Sequence, residues 1–210
     1  MKDWVAWHAA YDDPASPLST RLRVVRGHLS DALGAAPPGP VRLVSLCAGQ
    51  GHDVLGVLAA HPRGPQVSAV LVEADPRNAA LARQGAARAG LPGVEVRQAD
   101  AARVANYADA LPAHVLLLCG IFGNVSDEDI ERTAAAAPAM CAPGATVIWT
   151  RHRRAPDLTP RVRGWFRASG FDEVAFDAPD TRTRVGVGVG RLAVAPRAAP
   201  PDGPLFSFRT

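Results

Sequence analysis

A glycine-rich loop and two distant carboxylates carry the clearest chemistry in this sequence. The stretch 41–58, "VRLVSLCAGQGHDVLGVL", is an apolar run that stops at a loop holding Gly49 and Gly51, after which apolar residues return at helical spacing. Loops of this build hold nucleotides, and the residue types decide which kind. A dinucleotide loop follows G-x-G-x-x-G, but Val54 stands where the third glycine would let helix pack on strand. A phosphate-binding P-loop needs Lys followed by Ser or Thr, and His52 and Asp53 follow Gly51 instead. Asp53 also sets a carboxylate at the start of the helix, where a phosphate would sit. The loop therefore suits a ligand without phosphates.

Glu73 ends the run "LVEADP", 22 residues after Gly51, and Asp100 ends "VRQADA" a further 27 residues on. An ionised carboxylate is an acceptor-only group, so Glu73 can accept both hydroxyl hydrogens of a ribose. Asp100 can accept from an adenine amino group while the backbone of Ala101 reads the ring edge. Either acid alone is readily explained as a solvated carboxylate at a strand end. Their joint spacing with the loop favours a nucleoside site.

Two further clusters can shape a second ligand site. In "WVAWHAAYDDP" a helix would gather Trp4, Trp7, His8 and Tyr11 on one broad face. That face reads either as a lid over an aromatic or cationic group, or as a helix stapled to the body by its aromatics. The second cluster is "WTRHRR", residues 149–154, in which His152 can act as a general base and Arg151 or Arg153 can bind an acidic group. A solvated basic loop is the competing explanation. His8, Tyr11 and His152 are the candidates for moving a proton. His52, His61 and His114 rank below them, although His52 lies in the glycine loop.

These residues need elements to position them. Leu18, Leu22, Val25, Leu29 and Leu33 form one apolar stripe, so residues 17–34 are expected to be a helix, started by Ser16–Pro17 and stopped by Gly34. "GAAPPGP" then leads into the loop region. Strand-like runs follow at 41–46, 67–72, 94–97, 115–119 and 146–150, and alanine-rich helical segments at 53–60, 77–89, 101–110 (weak) and 127–137 lie between them. A helix over 160–168 and strands over 173–176 and 184–194 complete the pattern. Regular alternation of this kind implies an α/β fold, with a mostly parallel sheet and helices on both faces. The last two strands are joined too closely for a crossover helix, so their pairing is expected to be antiparallel. Glu73 and Asp100 then fall at carboxyl ends of strands, beside the crevice where such sheets bind ligands. In "VGVGVG", residues 185–190, the glycine face would let a helix or backbone approach. The proline-rich tail would be pinned by Phe206 and Phe208. The expected divisions are a helical appendage over 1–38, a nucleoside-binding domain over 39–196 and an extension over 197–210.

Composition excludes several classes. The 210 residues, 48% hydrophobic and 20% charged, match one globular domain of ordinary type. The net charge of +3 comes from scattered arginines, not from a basic stripe, which makes nucleic acid an unlikely partner. Three cysteines without metal-ligand spacing read as reduced thiols, and no metal site is expected. The N-terminus lacks a secretory core and no apolar run is long enough to span a membrane, so a cytoplasmic location and no membrane association are expected. A homodimer stays open.

Together these motifs resemble the class I S-adenosylmethionine-dependent methyltransferases over roughly residues 41–194, with "LVSLCAGQG" similar to their glycine-rich first motif, "LVEADP" to the ribose motif and "VRQADA" to the adenine motif. The resemblance implies a Rossmann-like sheet of seven strands with an antiparallel last strand, preceded here by an N-terminal helical lid. It implies S-adenosylmethionine as cofactor, held by Ser45, Cys47, Ala48, Gly49, Gly51, Glu73, Ala74, Asp100, Ala101, Cys119 and Gly120. "LLLCGIFGN", residues 116–124, corresponds to the segment that borders the transferred methyl group. Trp4, Trp7, Tyr11, Phe122, Asn124, Arg151 and His152 would line the acceptor side. Ser45 stands where the family often has an acid, and Cys47 replaces its usual first loop glycine. Motifs for base-amino, pyrimidine-carbon and metal-dependent catechol methylation are absent. The expected activity is methyl transfer to the N or O of a small molecule by in-line displacement. An RNA or protein methyltransferase and a non-catalytic cofactor-binding scaffold are the alternatives.

Overall fold

The computed structural model describes residues 9–179, 184–196, 199 and 203–209. After a 3₁₀ turn at Ala9–Asp12 come α1 (Pro17–Ala35), β1 (Val41–Leu46), α2 (His52–Ala60), β2 (Val67–Glu73), α3 (Pro76–Arg88) and β3 (Val94–Gln98). They are followed by β4 (Ala113–Leu118), α4 (Asp127–Met140), β5 (Cys141–His152), α5 (Thr159–Ala168), β6 (Phe171–Asp177) and β7 (Val185–Leu192). Side-chain caps set the helix starts. The Ser16 hydroxyl accepts the Ser19 N–H at 3.0 Å, and the Ser126 hydroxyl accepts that of Asp129 at 3.1 Å. Asp127, Glu128 and Asp129 fill the first turn of α4, where negative charge suits the helix dipole.

The seven strands run in the order β3-β2-β1-β4-β5-β7-β6, with β7 antiparallel to both β5 and β6 and the remaining pairs parallel. This is the expected sheet of six parallel strands and one reversed. Chain order turns back between β1 and β4, which opens a crevice at the carboxyl ends of those strands.

Alternation along the buried strands feeds two cores. Val44, Leu46, Leu116, Leu118, Val147 and Trp149 face α4, α5 and the tail. Leu43, Leu71, Leu117, Ile148 and Val187 face α1, α2 and α3. The apolar stripe of α1 enters the second core through Val25, Leu29, Ala32 and Leu33.

Two features differ from the sequence expectation. Residues 101–110 form no α-helix; two 3₁₀ turns, Val104–Asn106 and Ala108–Ala110, lie there instead. Side chains divert the backbone: the Asp100 carboxylate accepts the Ala102 N–H at 2.9 Å, and the Asn106 amide donates to the Asp100 carbonyl at 2.8 Å. Strand β5 begins five residues before the expected 146, because Cys141 pairs with Ala113 ahead of a register shift, across the Pro143–Gly144 pair that reads as a turn. The glycine face of β7 admits backbone and a helix residue, as expected, and aromatic rings as well: a Cβ on Gly186 would lie 3.2 Å from the Arg151 carbonyl oxygen, from Thr159 at the start of α5 and from the Phe176 ring. A Cβ on Gly188 would lie 2.2 Å from the Trp149 ring, which stacks on Phe166 with centroids 5.8 Å apart.

The tail is anchored by Leu205 and Phe206, both buried. Phe208 is 42% exposed and meets Phe206 edge-on at 5.7 Å.

Candidate cofactor and acceptor site

The loop after β1 turns through left-handed backbone at Cys47 (φ 54°), Gly49 (φ 56°) and Gly51 (φ 74°). Gly is the usual residue at such angles, because a Cβ there crowds the backbone. Cys47 therefore occupies a glycine conformation with a side chain attached. The loop is tied down on both sides: the Ala48 N–H donates to the Val72 carbonyl at 3.0 Å, and the Gly51 N–H to the Ala48 carbonyl at 2.9 Å.

Glu73 sits beside this loop. One carboxylate oxygen accepts the Gly49 N–H at 2.7 Å and the other accepts the Asp75 N–H at 2.8 Å, across Ala74. Each oxygen keeps a further lone pair for a ligand hydroxyl. Asp100, at the end of the neighbouring strand, carries an exposed carboxylate with Arg103 at 3.6 Å. Behind it Ala101 is buried, its carbonyl accepting from the Tyr107 hydroxyl at 3.3 Å. Tyr107, fully buried beneath the turn at Asp100–Ala102, carries no signal in the sequence, because an isolated tyrosine in an alanine-rich stretch has no positional pattern.

The Ser45 hydroxyl is buried and has no hydrogen-bond partner. Burial pushes the Cys47 thiol well above its ordinary range, and the Glu73 and Asp100 carboxylates push it further. Burial raises the Cys119 and Cys141 thiols too, so all three cysteines are held as inert thiols.

On the far side of the loop, α1 and the 3₁₀ turn bring a second group of residues to the start of α2. The Tyr11 ring lies 4.9 Å from the His52 ring, and Arg21 donates to the Tyr11 hydroxyl. Arg26 donates to the His52 carbonyl through two nitrogens, at 2.9 and 2.6 Å. Asp53 lies in electrostatic reach of both arginines. Burial raises its pKa, while Arg21 and then the helix-start N–H groups oppose the rise. Its Oδ1 atom is buried with no hydrogen-bond partner. Burial likewise raises Tyr11 above the usual phenol range, so it stays protonated at neutral pH. Trp4, Trp7 and His8 lie outside the described residues.

The segment after β4 closes the crevice. The Gly120 N–H donates to the Thr150 hydroxyl at 2.9 Å, and the Asn124 side chain donates to the Gly120 carbonyl at 2.8 Å. Phe122 is fully buried against Trp149 and Phe166, so its ring supports the segment from below; its carbonyl accepts from the Arg151 guanidinium. His152 lies under the same turn, 3.3 Å from where a Cβ on Gly123 would be. Burial, then Arg151 and Arg154, lower its pKa, leaving the ring neutral at pH 7 and able to accept a proton. The tail braces both ends of the site: the Leu205 N–H donates to the Ala102 carbonyl and that of Arg209 to the Asn124 carbonyl, at 2.9 and 2.8 Å.

His61 and His114 lie elsewhere: His61 follows the last residue of α2, and His114 accepts the Arg42 N–H at 3.0 Å at the amino ends of the central strands β1 and β4, opposite the crevice. Among the described residues, no group of three or more His, Cys, Asp or Glu side chains could hold a metal ion. No helix there is long and apolar enough to cross a membrane.

The fold is that of the class I methyltransferases. An O-methyltransferase family protein from Burkholderia thailandensis matches with a TM-score of 0.64 at 17% identity, over 81% of this chain and 56% of that one. The S-adenosylmethionine-dependent methyltransferase SibL matches with a TM-score of 0.57 at 20% identity, over 83% of this chain and 55% of that one. The [4+2]-cyclase SpnF matches with a TM-score of 0.59 at 16% identity, over 80% and 81%. The chain thus spans little more than half the length of the two methyltransferases. No family model and no curated protein sequence matches it.

Proposed function

We propose that the chain binds S-adenosylmethionine and transfers its methyl group to a small-molecule acceptor. The observation that carries this reading is the set of hydrogen-bond acceptors around the crevice. Glu73 and Asp100 present carboxylates at the ends of adjacent strands, beside a left-handed loop whose helix starts with the half-buried acid Asp53. That set fits the hydroxyls and amino group of an adenosine and disfavours a phosphate. The bound cofactor would supply an electrophilic methyl group on a sulfonium sulfur.

The chain's own residues then have three tasks. Glu73 orients the loop and the ribose together. The turn at Gly120–Asn124, braced by Thr150 and the tail, borders the reacting centre and excludes water. A neutral His152, or a carboxylate, receives a proton where the acceptor arrives as a hydroxyl. Alignment supplies much of the acceleration in such a displacement.

Small acceptors are favoured over RNA because arginines of the 151–167 segment are already paired. Arg153 meets Asp157 at 3.1 Å, Arg161 meets Asp127 at 3.2 Å and Arg163 meets Glu173 at 2.6 Å. The O-methyltransferase among the structural neighbours supports an oxygen nucleophile.

Calorimetry with S-adenosylmethionine and S-adenosylhomocysteine tests the reading; the absence of binding by both refutes it. RNA retention that falls steeply with salt would replace the small acceptor with a nucleic acid. Cofactor binding without transfer to a broad acceptor panel would leave a non-catalytic scaffold.

A further inference from the structure

Residues of α1, α2 and α3 line a cavity of about 420 Å³ that neither the cofactor nor the acceptor reading uses. Leu55, Gly56 and Ala59 supply one face of α2, and Leu81, Gly85 and Arg88 one face of α3, each at helical spacing. Glycine weakens a helix interior, and here the missing side chains have a use. A Cβ on Gly56 would lie 2.9 Å from Arg26 Nη2 and 3.1 Å from the central guanidinium carbon, so glycine lets Arg26 of α1 rest on α2. A Cβ on Gly85 would lie 2.9 Å from Leu55 Cδ1, so glycine lets α3 pack closely there. Arg26 is half-buried and fixed: its Nε and Nη2 donate to the His52 carbonyl at 2.9 and 2.6 Å, and its remaining N–H groups are left for a ligand. On the other side of α2, Arg88 stands exposed in the last turn of α3, with no acid paired to it among the described residues. His52 and Gln50 hydrogen-bond at 3.2 Å, and the Gln50 amide donates to Asn78 at 3.2 Å, which holds the loop side of the cavity. Among the described residues that line the cavity, none is Asp or Glu; Asp53, which attracts Arg26, does not line it.

We propose that this cavity is a second binding site, which takes a small carboxylic acid with an apolar body; the proposal stands apart from the methyl-transfer reading. Arginines from helices on either side of α2, with no lining acid to neutralise them, call for an anion. A guanidinium edge matches the two oxygens of a carboxylate, and Arg26 is already oriented by its bonds to His52. Its partial burial makes the pairing stronger than at an exposed surface, while Arg88 adds a second charge at the rim. Leu55, Ala59 and Leu81 offer apolar surface that an inorganic anion would leave uncovered. The volume falls in the range of small-molecule sites, roughly 300–1,000 Å³.

Isothermal titration of the protein at neutral pH with 4-nitrobenzoate, the neutral 4-nitrobenzamide and inorganic phosphate tests the site. The carboxylate should bind about tenfold or more tightly than either of the others. Arg88→Gln, at an exposed position, should bring carboxylate and amide within roughly threefold of each other and melt within a few degrees of wild type. Ala59→Phe, a second variant, fills the cavity from an exposed position and should weaken both organic probes about tenfold. Saturation with S-adenosylhomocysteine should leave the affinity for 4-nitrobenzoate within about threefold. No binding of 4-nitrobenzoate, equal binding of the amide, phosphate bound as tightly, or full affinity in either variant overturns the proposal. So does displacement by S-adenosylhomocysteine, which would place the carboxylate in the cofactor crevice. Failure of S-adenosylhomocysteine itself to bind removes the methyl-transfer reading, and the probes and variants still decide this one.

Discussion

Glu73 offers the sharpest test of how the loop is built, because its carboxylate has two separable jobs. One oxygen accepts the Gly49 N–H at 2.7 Å and the other the Asp75 N–H at 2.8 Å, so the side chain ties the loop to the end of β2 before any ligand arrives. Hydrogen bonds to a charged group contribute about 1.5–3 kcal/mol each. Glu73→Gln keeps one acceptor oxygen and turns an amide donor toward the other N–H, which removes one bond and opposes two donors. The ligand-free protein should therefore lose roughly 1.5–3 kcal/mol, a fall in Tm of about 3–12 °C at this chain length. Glu73→Ala removes both bonds and should lose more. Differential scanning calorimetry of the free protein reads this first job. Isothermal titration with S-adenosylhomocysteine reads the second, for which Gln, still able to accept one ribose hydroxyl, should lose about tenfold in affinity and Ala more. An unchanged Tm in both variants refutes the loop-clamping role. A lowered Tm with unchanged affinity refutes the ribose role and leaves Glu73 a structural clamp.

The remaining predictions follow from local geometry. Cys47→Gly relieves a side chain held at φ 54° and should keep or raise the Tm, whereas the β-branched Cys47→Val should lose about 2 kcal/mol or more in urea unfolding. Equal stability of the two variants would contradict the strain. Gly188→Ala would drive a Cβ into the Trp149 ring and should cost about 1–3 kcal/mol, with a changed near-ultraviolet tryptophan signal. The Arg163 guanidinium beside Glu173 holds its carboxyl below the ordinary range, so folded protein releases that proton more readily than unfolded. The resulting stability is present above the unfolded value of about 4.3 and lost as pH falls through the lower folded value. Glu173→Gln should thus flatten the acid limb of the stability curve below about pH 5 and change it least where the carboxyl is already protonated.

The elements that position the site were legible in the sequence because each rests on a local rule. The stripe of α1, the Ser16 and Ser126 caps, and β1 over residues 41–46 appear as the periodicity and capping residues require. Glu73 and Asp100 were legible as carboxylates at strand ends, since a strand of buried apolar residues stops where polar residues begin. The failures share a cause as well. Asp100 and Asn106 bond to nearby backbone and break a stretch whose alanines favour helix, and the Pro143–Gly144 pair reads as a turn although pairing to β4 holds it extended.

Other features were beyond any local rule, because they depend on residues far apart in the chain. The Glu73 clamp needs the register of β1 on β2, which brings Gly49 within 2.7 Å of a side chain 24 positions away. The tail reaches Ala102 and Asn124 only because α4 folds between them and offers Arg132, Thr133 and Asp129 to its backbone. Asp53 could be read as an acid that repels a phosphate. Only the fold buries its Oδ1 atom and leaves that oxygen without a donor. Residue type decided what chemistry was available, and long-range packing decided which of those groups were desolvated and poised, because burial and electrostatic reach are properties of neighbours that the chain brings together only by folding.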